Sequence, residues 1–430
     1  MRAVVSATLF ISLVVFVILS VPVGIAIGLS TVAAIMAGGR LSLGFVPQAL
    51  VTGVDSFPIL AVPMFILAGE LMSSGGVSRR ILNVCSVFFG RFTGGLAIVA
   101  VAMAMFFSSV SGSAPATVAA VGGMVVPVMV EKGYGKGFSL GLVATAGCIG
   151  VILPPSIPMV FYGVATGTSI AAMFMAGFFP GILFGLCLGI FCYFYCKMMG
   201  WKGDENEIFT WPRAGRAMWD AKWAFINPFI ILGGIYGGFF TPTEAAGVAA
   251  VYALICGCFI YRELNAKQLW EAVARACATT ATAMIILGAA TAFARVLTIQ
   301  QIPMMLANFM IGLTDNGILM LIYINIFLLI VGLVVDPTPA MLILSPILLP
   351  VAQSFGVHPV HFGIIMVINL AIGMVTPPIG VNLFVASRIG NERLDVVSRS
   401  VLPFVAVAII CLMIVTFIPW LSLFLPTTLM

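Results

Sequence analysis

Two stretches of this 430-residue sequence place oxygen-rich chemistry in apolar surroundings: SSVSGSAPAT at 108–117, with Pro154-Pro155 downstream, and DPTPA at 336–340, with Pro377-Pro378 downstream. Proline has no amide hydrogen and its ring clashes with the preceding turn, so each Pro-Pro pair leaves helix carbonyls without donors. Away from water those oxygens need a partner. A hard cation such as sodium is one, held by unwound carbonyls together with Ser, Thr and Asp side chains. The first candidate sodium site is Ser108, Ser111 and Ser113 with carbonyls near Gly147, Val151 and Pro154; the second is Asp336 and Thr338 with carbonyls near Gly373 and Thr376. Asp336 is the sharpest clue, because an acidic side chain at membrane depth costs about 3 kcal/mol unless paired. Its competing use is to cap a helix. Ser111, Ser113, Thr117, Ser156, Thr376 and Asn382 are candidates to hydrogen-bond a substrate, aided by half-helix N-termini that favour anions.

The elements that must hold these residues are membrane helices. The chain is 62% hydrophobic and only 8% charged, where a soluble domain is about a quarter charged. A helix rising 1.5 Å per residue crosses the hydrocarbon core with about 20 apolar residues. Spans are expected near 4–20, 23–39, 56–73, 137–165, 174–196, 224–240, 243–261, 276–298, 361–387 and 401–425. The N-terminal stretch lacks a strongly basic leader and reads as a retained helix rather than a signal peptide. Between Lys197 and Lys222, Asp204, Glu205, Glu207, Arg213 and Arg216 alternate with Trp201, Trp211 and Trp219, which fits an interfacial arm.

Around each oxygen-rich tip the apolar arms are short for a full crossing, so 92–130 and 318–350 are expected to be re-entrant hairpins. With that topology sixteen of the nineteen basic residues fall on one side, which the positive-inside rule makes cytoplasmic. The first hairpin then opens from the cytoplasm. The second opens from outside, near Asp315 and His358.

A shift of 223 positions superimposes Pro127 on Pro350, Gly133 on Gly356, Gly150 on Gly373 and Pro154-Pro155 on Pro377-Pro378, and upstream Gly24 on Gly247. One register thus repeats a hairpin and a proline-broken span, upside down by topology. Inverted repeats with paired broken helices are a transporter plan, since they give inward-open and outward-open forms of similar energy.

Other residues read as structural. The nine cysteines are scattered without metal spacing and suit packing. His358 and His361 lie beside a proline in an expected outer loop, and Glu70, Glu244 and Arg295 suit ion pairs or an interface. The net charge of +5 follows from the topology-setting basic residues and implies no nucleic acid. No phosphate-binding GxxxxGKS and no Ser/His/Asp order occurs, so for a powered transport an ion gradient is the available source, and no enzyme chemistry or cofactor is expected beyond coupling sodium ions. A channel would need an unbroken polar pore helix, which is absent.

The segments GSAPATVAAVG (112–122), GVILPPSIPMVFYG (150–163), FTPTEAAGVAAVYAL (240–254) and GMVTPPIGVNLFVAS (373–387) resemble the large membrane (M) subunit of tripartite ATP-independent periplasmic (TRAP) transporters, over essentially the whole chain. The resemblance implies an all-α, polytopic, inverted-repeat elevator in the bacterial inner membrane that takes up an organic acid with sodium. Sialic acid and a C4-dicarboxylate are equal expectations. It implies a periplasmic substrate-binding protein and a small membrane (Q) subunit; no helices of the latter are fused here, so a separate chain is expected. The corresponding division is 1–78 scaffold; 79–173 transport domain with hairpin 81–130 and broken helix 137–165; 174–275 scaffold with a cytoplasmic arm at 197–222; 276–400 transport domain with hairpin 318–352 and broken helix 361–387; and a C-terminal helix at 401–430. The alternative is a stand-alone ion-coupled carboxylate carrier.

Overall fold

The fold is seen in a computed structural model that describes every residue except 1, 20, 39–40, 202, 204–208, 313 and 315. Lys202, Asp204, Glu205 and Glu207 of the expected arm and Asp315 at the second hairpin's base therefore lie outside the described residues. The described chain is helical. The first half contains α1 (Arg2–Ile18), α2 (Val23–Gly38), α3 (Phe45–Val54), α4 (Ala61–Ser74, entered through a 3-10 turn), α5 (Val77–Phe89), α6 (Gly95–Ser111), α7 (Ala114–Glu131), α8 (Lys136–Ala146), α9 (Ile149–Ile152), α10 (Ile157–Thr166) and α11 (Ile170–Met198). The second contains α12 (Trp211–Tyr236), α13 (Pro242–Ile255, closing in a π turn), α14 (Ala266–Ile299), α15 (Ile302–Ile311), α16 (Gly317–Gly332), α17 (Pro337–Ser354), α18 (Pro359–Gly373), α19 (Val381–Gly390), α20 (Leu394–Phe417) and α21 (Trp420–Leu429). Among the described residues seven helices are long and apolar enough to cross a membrane, or eight with the bent α8–α10 run counted as one span.

The repeat register survives in three dimensions. Helices α7 and α17 start at 114 and 337, both 18 residues long, and α8 and α18 start at 136 and 359, so each pair is offset by 223. Gly133 and Gly356 follow α7 and α17 with φ of +85° and +79°, a left-handed conformation that glycine adopts without Cβ strain. The packing is exchanged between halves: α10 lies on α17, and α19 lies on α7. Helices α2, α3 and α4 pack on α14, and α4 also packs on α13.

The proline breaks fall where the Pro-Pro pairs stand. Helix α9 stops at Ile152 and α10 begins at Ile157, with a bend of 40°, while α18 stops at Gly373 and α19 begins at Val381. Other boundaries moved. The end of the expected arm, from Trp211, and the span at 224–240 share one continuous helix, α12, started by Pro212 and with no internal proline before Pro228. The expected 401–425 span divides into α20 and α21 around Pro419. Helix α5 forms separately ahead of the α6–α7 pair and is fastened on its basic face: Arg80 Nη1 donates to Glu263 Oε1 at 2.6 Å and to the Gly76 carbonyl at 2.8 Å, with its guanidinium 3.7 Å from the Tyr261 ring centre.

Beside the Arg80–Glu263 pair, a further ion pair joins the halves at the charged face. Lys136 Nζ, at the start of α8, is 3.0 Å from Glu392 Oε2, in the turn after α19. The Lys136 ammonium, helped by the Arg393 amide, holds the Glu392 carboxyl below the ordinary carboxylate value. A depressed carboxyl stabilises the fold above its unfolded value, and that contribution is lost as pH falls through the lower folded value. Because the pair is exposed, Glu392→Gln is expected to lower the melting temperature at pH 7 by no more than about 2 °C. The difference from wild type should shrink as pH falls through the ordinary glutamate range and vanish beneath the lower folded value, as thermal scans at several pH values would show.

Candidate ion and substrate site

The first cluster is built where α6 turns into α7. Gly112 adopts φ +62° and reverses the chain. Ser111 Oγ lies 3.2 Å from Thr117 Oγ1, the Thr117 hydroxyl donates to the Ser113 carbonyl at 2.9 Å, and the Ser113 amide donates to Ser111 Oγ at 3.4 Å. Gly150 of α9 lies directly against this knot. A Cβ there would stand 2.5 Å from Thr117 Oγ1 and 2.7 Å from the Ser113 carbonyl oxygen, so only glycine lets the helix approach. The Ile157 amide, beyond the break, donates to the Gly112 carbonyl at 3.2 Å. Ser111, Ser113 and Thr117 are thus brought together with the first break, as their spacing predicts. Helix α7 receives no side-chain cap from Ser113, so the Ala114 and Ala116 amides of its first turn lack a capping side chain.

Several oxygens of this cluster already have protein donors. The Ser156 hydroxyl donates to the Val151 carbonyl at 2.6 Å, supplying the hydrogen that Pro155 lacks. Ser156 also accepts from the Met159 amide, so its role in this structure is to heal the break and cap α10. The Ser108 hydroxyl donates to Ala104 of its own helix at 3.0 Å, and the Gly147 carbonyl accepts from Gly150 at 2.9 Å. A carbonyl with one donor keeps a second lone pair for a cation. Leu153, Pro154 and Pro155 are buried.

The second cluster differs. Asp336 is the N-cap of α17, its Oδ1 accepting from the Thr338 amide at 3.0 Å, and it is only partly buried. Capping is therefore present, yet no cationic side chain pairs with the carboxylate among the described residues. At the break, Thr376 donates through its hydroxyl to Ile372 at 2.7 Å and through its amide to Gly373 at 3.1 Å. The Met374 carbonyl, deprived of Pro378 as donor, accepts from the Asn382 amide at 3.0 Å. Pro378 and Ile379 are exposed, unlike Pro154 and Pro155. Gly373 abuts the backbone of Gly332, the last residue of α16, four positions before Asp336.

The halves meet on equivalent residues. The Cys148 thiol donates to the Ala371 carbonyl at 3.0 Å, and these two positions are 223 apart, so the breaks cross on the repeat's own axis. Asn382 also bridges the halves, Nδ2 donating to the Ala144 carbonyl at 3.1 Å, while its Oδ1 is buried with no partner among the described residues. Asn382 thereby belongs to the crossing of the two breaks, and its hydrogen bonds go there rather than to the Ser111 cluster.

Sequence reasoning missed Cys148, read only as packing, and misplaced His361. That histidine is no surface-loop residue: it is 2% exposed in α18, hydrogen-bonded to Ser422 and Thr416, while His358 caps the helix. The signal available was Asn325 and Asn369, two amides in otherwise apolar runs, which at membrane depth must pair. Glu70 forms the expected ion pair, with Arg275 at 3.0 Å, whereas Glu244 closes a capping box with Thr241 at the start of α13.

The Tripartite ATP-independent periplasmic transporter, DctM component, family model matches residues 10–421. The chain is 47% identical over 411 residues to the isethionate TRAP transporter permease protein DctMQ of Oleidesulfovibrio alaskensis, covering 95% of this chain and 64% of that one. It therefore spans less than two thirds of that relative. It is 40% identical to the C4-dicarboxylate TRAP transporter large permease protein DctM of Vibrio cholerae, covering 99% and 98% of the two chains. With the sialic acid TRAP transporter large permease protein SiaM of the same organism it shares 36% identity over 94% of each chain. Among solved structures, the Alcanivorax borkumensis YdaH transporter superimposes with a TM-score of 0.64 at 14% identity, covering 88% of each chain. The MtrF pump of Neisseria gonorrhoeae gives a TM-score of 0.62 at 12% identity, covering 87% and 84%. Those two likenesses concern the fold.

Proposed function

This chain belongs to the DctM component family of tripartite ATP-independent periplasmic transporters, and from that premise we propose that it carries an organic anion across the bacterial inner membrane by sodium symport. The observation that carries this reading is the pair of helix–turn–helix and proline-broken units at one register, crossing at Cys148 and Ala371. Two inverted copies of one unit interconvert between inward-facing and outward-facing forms of similar energy. Sodium binds at the Ser111–Ser113 cluster against Gly147, Val151 and Pro154, and at Asp336 and Thr338 against Gly373 and Thr376. Both ions order the hairpin tips. The anion docks between the tips, on the amides of the first turn of α7 and on hydroxyls and amides drawn from Ser111, Ser113, Thr117, Ser156, Thr376 and Asn382.

The α6–α7 and α16–α17 pairs are re-entrant, opening from opposite faces, and move with the broken helices as an elevator against a scaffold of residues 1–78 and 174–275, which holds α1–α4 and α11–α13. A periplasmic binding protein delivers the substrate, and a small membrane subunit completes the scaffold. Substrates named for the relatives are carboxylates and a sulfonate, so the class proposed is small organic acids of either kind, sialic acid and C4-dicarboxylates included.

Proteoliposomes holding this chain, with and without the small subunit and the binding protein, test this directly. Uptake of labelled dicarboxylate, sialic acid or isethionate is expected only with an inward sodium gradient and with the binding protein present. Equal uptake in choline would remove the coupling. Uptake by the chain alone would instead establish a stand-alone carrier.

A further inference from the structure

A chain of buried hydrogen bonds runs through the second half and reaches no residue assigned above. Asn369 Nδ2, on α18, donates to Asn325 Oδ1 on α16 at 2.7 Å and to the Ile365 carbonyl at 2.8 Å. Asn325 Nδ2 donates to Thr416 Oγ1 on α20 at 3.1 Å. The Thr416 carbonyl lies 3.2 Å from His361 Nε2, and His361 Nδ1 lies 2.6 Å from Ser422 Oγ on α21. A carbonyl only accepts, so Nε2 carries the imidazole proton and Nδ1 accepts from Ser422. All five side chains are at most 2% exposed.

The repeat supplies an internal comparison. Displaced by 223, Asn325 and Asn369 correspond to Ala102 and Ala146, and His361 corresponds to Phe138. In the first half, then, the same helices are joined by apolar contact: Phe138 stacks on Tyr195 with ring centres 4.9 Å apart. Alanines at both Asn positions evidently satisfy the fold. Buried amides desolvate at a cost and contribute direction in return, since an amide pair has one good geometry whereas apolar helix faces slide.

What needs that direction lies one and two turns further along. Gly373 follows Asn369 by four residues and Gly332 follows Asn325 by seven, and Gly332 and Gly373 are in backbone contact. A slip of α16 along α18 would break that contact and carry the Leu333–Asp336 turn with it. We infer that Asn325 and Asn369 are positioning residues, pinning α16 to α18 in the register that holds Asp336 at the second break; this rests on the reading of that break as a sodium site.

The test is the double substitution Asn325→Ala with Asn369→Ala, which recreates the alanine pair of the first half. In proteoliposomes of the complete system, the sodium concentration for half-maximal uptake is expected to rise about five- to tenfold, the effect of one or two lost buried hydrogen bonds. Substrate KM and maximal rate at saturating sodium should stay within about twofold, a split that general loosening would not give. An unmoved sodium midpoint overturns the inference, as does a fall in maximal rate with no change in midpoint. Should the alanine pair fail to fold, Asn325→Leu with Asn369→Leu refills the volume without amides and carries the same expectation. Asp336→Asn, assayed alongside, separates the two readings. If it leaves sodium dependence intact, the sodium site is wrong; if it removes the dependence while the alanine pair leaves the midpoint unmoved, only the pinning is wrong.

Discussion

Replacing Asp336 by Asn is expected to reduce sodium-driven uptake about thirty- to a hundredfold while leaving the protein folded, the size of losing a charged ligand to a bound ion. The choice of Asn follows from the geometry. Oδ1 of Asp336 accepts from the Thr338 amide at 3.0 Å and so caps α17. An Asn at this position keeps that acceptor and removes only the charge. Asp336→Ala removes both, and should match the Asn variant in lost sodium dependence while adding about 1 kcal/mol of destabilisation from the missing cap. Uptake titrated against sodium, with thermal unfolding of each variant, distinguishes the two contributions. Should the Asn variant keep the wild-type sodium dependence and the Ala variant lose only stability, Asp336 is a cap and nothing more.

The second large effect is steric. A Cβ added to Gly373 would lie 2.5 Å from the Cα and carbonyl oxygen of Gly332, both backbone atoms that no rotamer change can move. Gly373→Ala must therefore push α16 away from α18. The expected cost is about 2–4 kcal/mol, the range of overpacked cores, and Ala's better helix propensity, about 1 kcal/mol, offsets only part of it. At Gly332 the closest approach of a new Cβ is 3.1 Å, to the Gly373 Cα, so Gly332→Ala should be milder than its partner. Gly123 of α7 has nothing within 4 Å of a new Cβ, and Gly123→Ala should be neutral or slightly stabilising. Thermal unfolding in nanodiscs ranks the three. The close-contact account fails if Gly373→Ala proves as harmless as Gly123→Ala.

The helical membrane class, the two proline breaks and the repeat register were all legible in the residues. They depend on local chemistry: a run of apolar side chains must hide its own backbone bonds in a helix, and a proline cannot donate wherever it stands. The grouping of Ser111, Ser113 and Thr117 was legible for the same reason, since residues at most six positions apart across one turn are bound to meet. Element ends were less so. From Trp211 the interfacial helix expected at 197–222 runs on without a break into the 224–240 span, because composition alone does not say where a helix leaves the bilayer.

Contacts between distant segments were decided only by the tertiary structure. The crossing of Cys148 with Ala371, the approach of Gly332 to Gly373 and the burial of His361 in an amide network each join residues separated by tens to hundreds of positions. In an apolar helix every face is hydrophobic, so periodicity does not reveal which face meets a neighbour and which meets lipid. The sequence by itself thus determined where the backbone breaks and which oxygens it frees. Which of those oxygens are then healed, as Val151 is by Ser156, and which stay open is settled by packing, because it depends on the donors that other helices bring within about 3 Å.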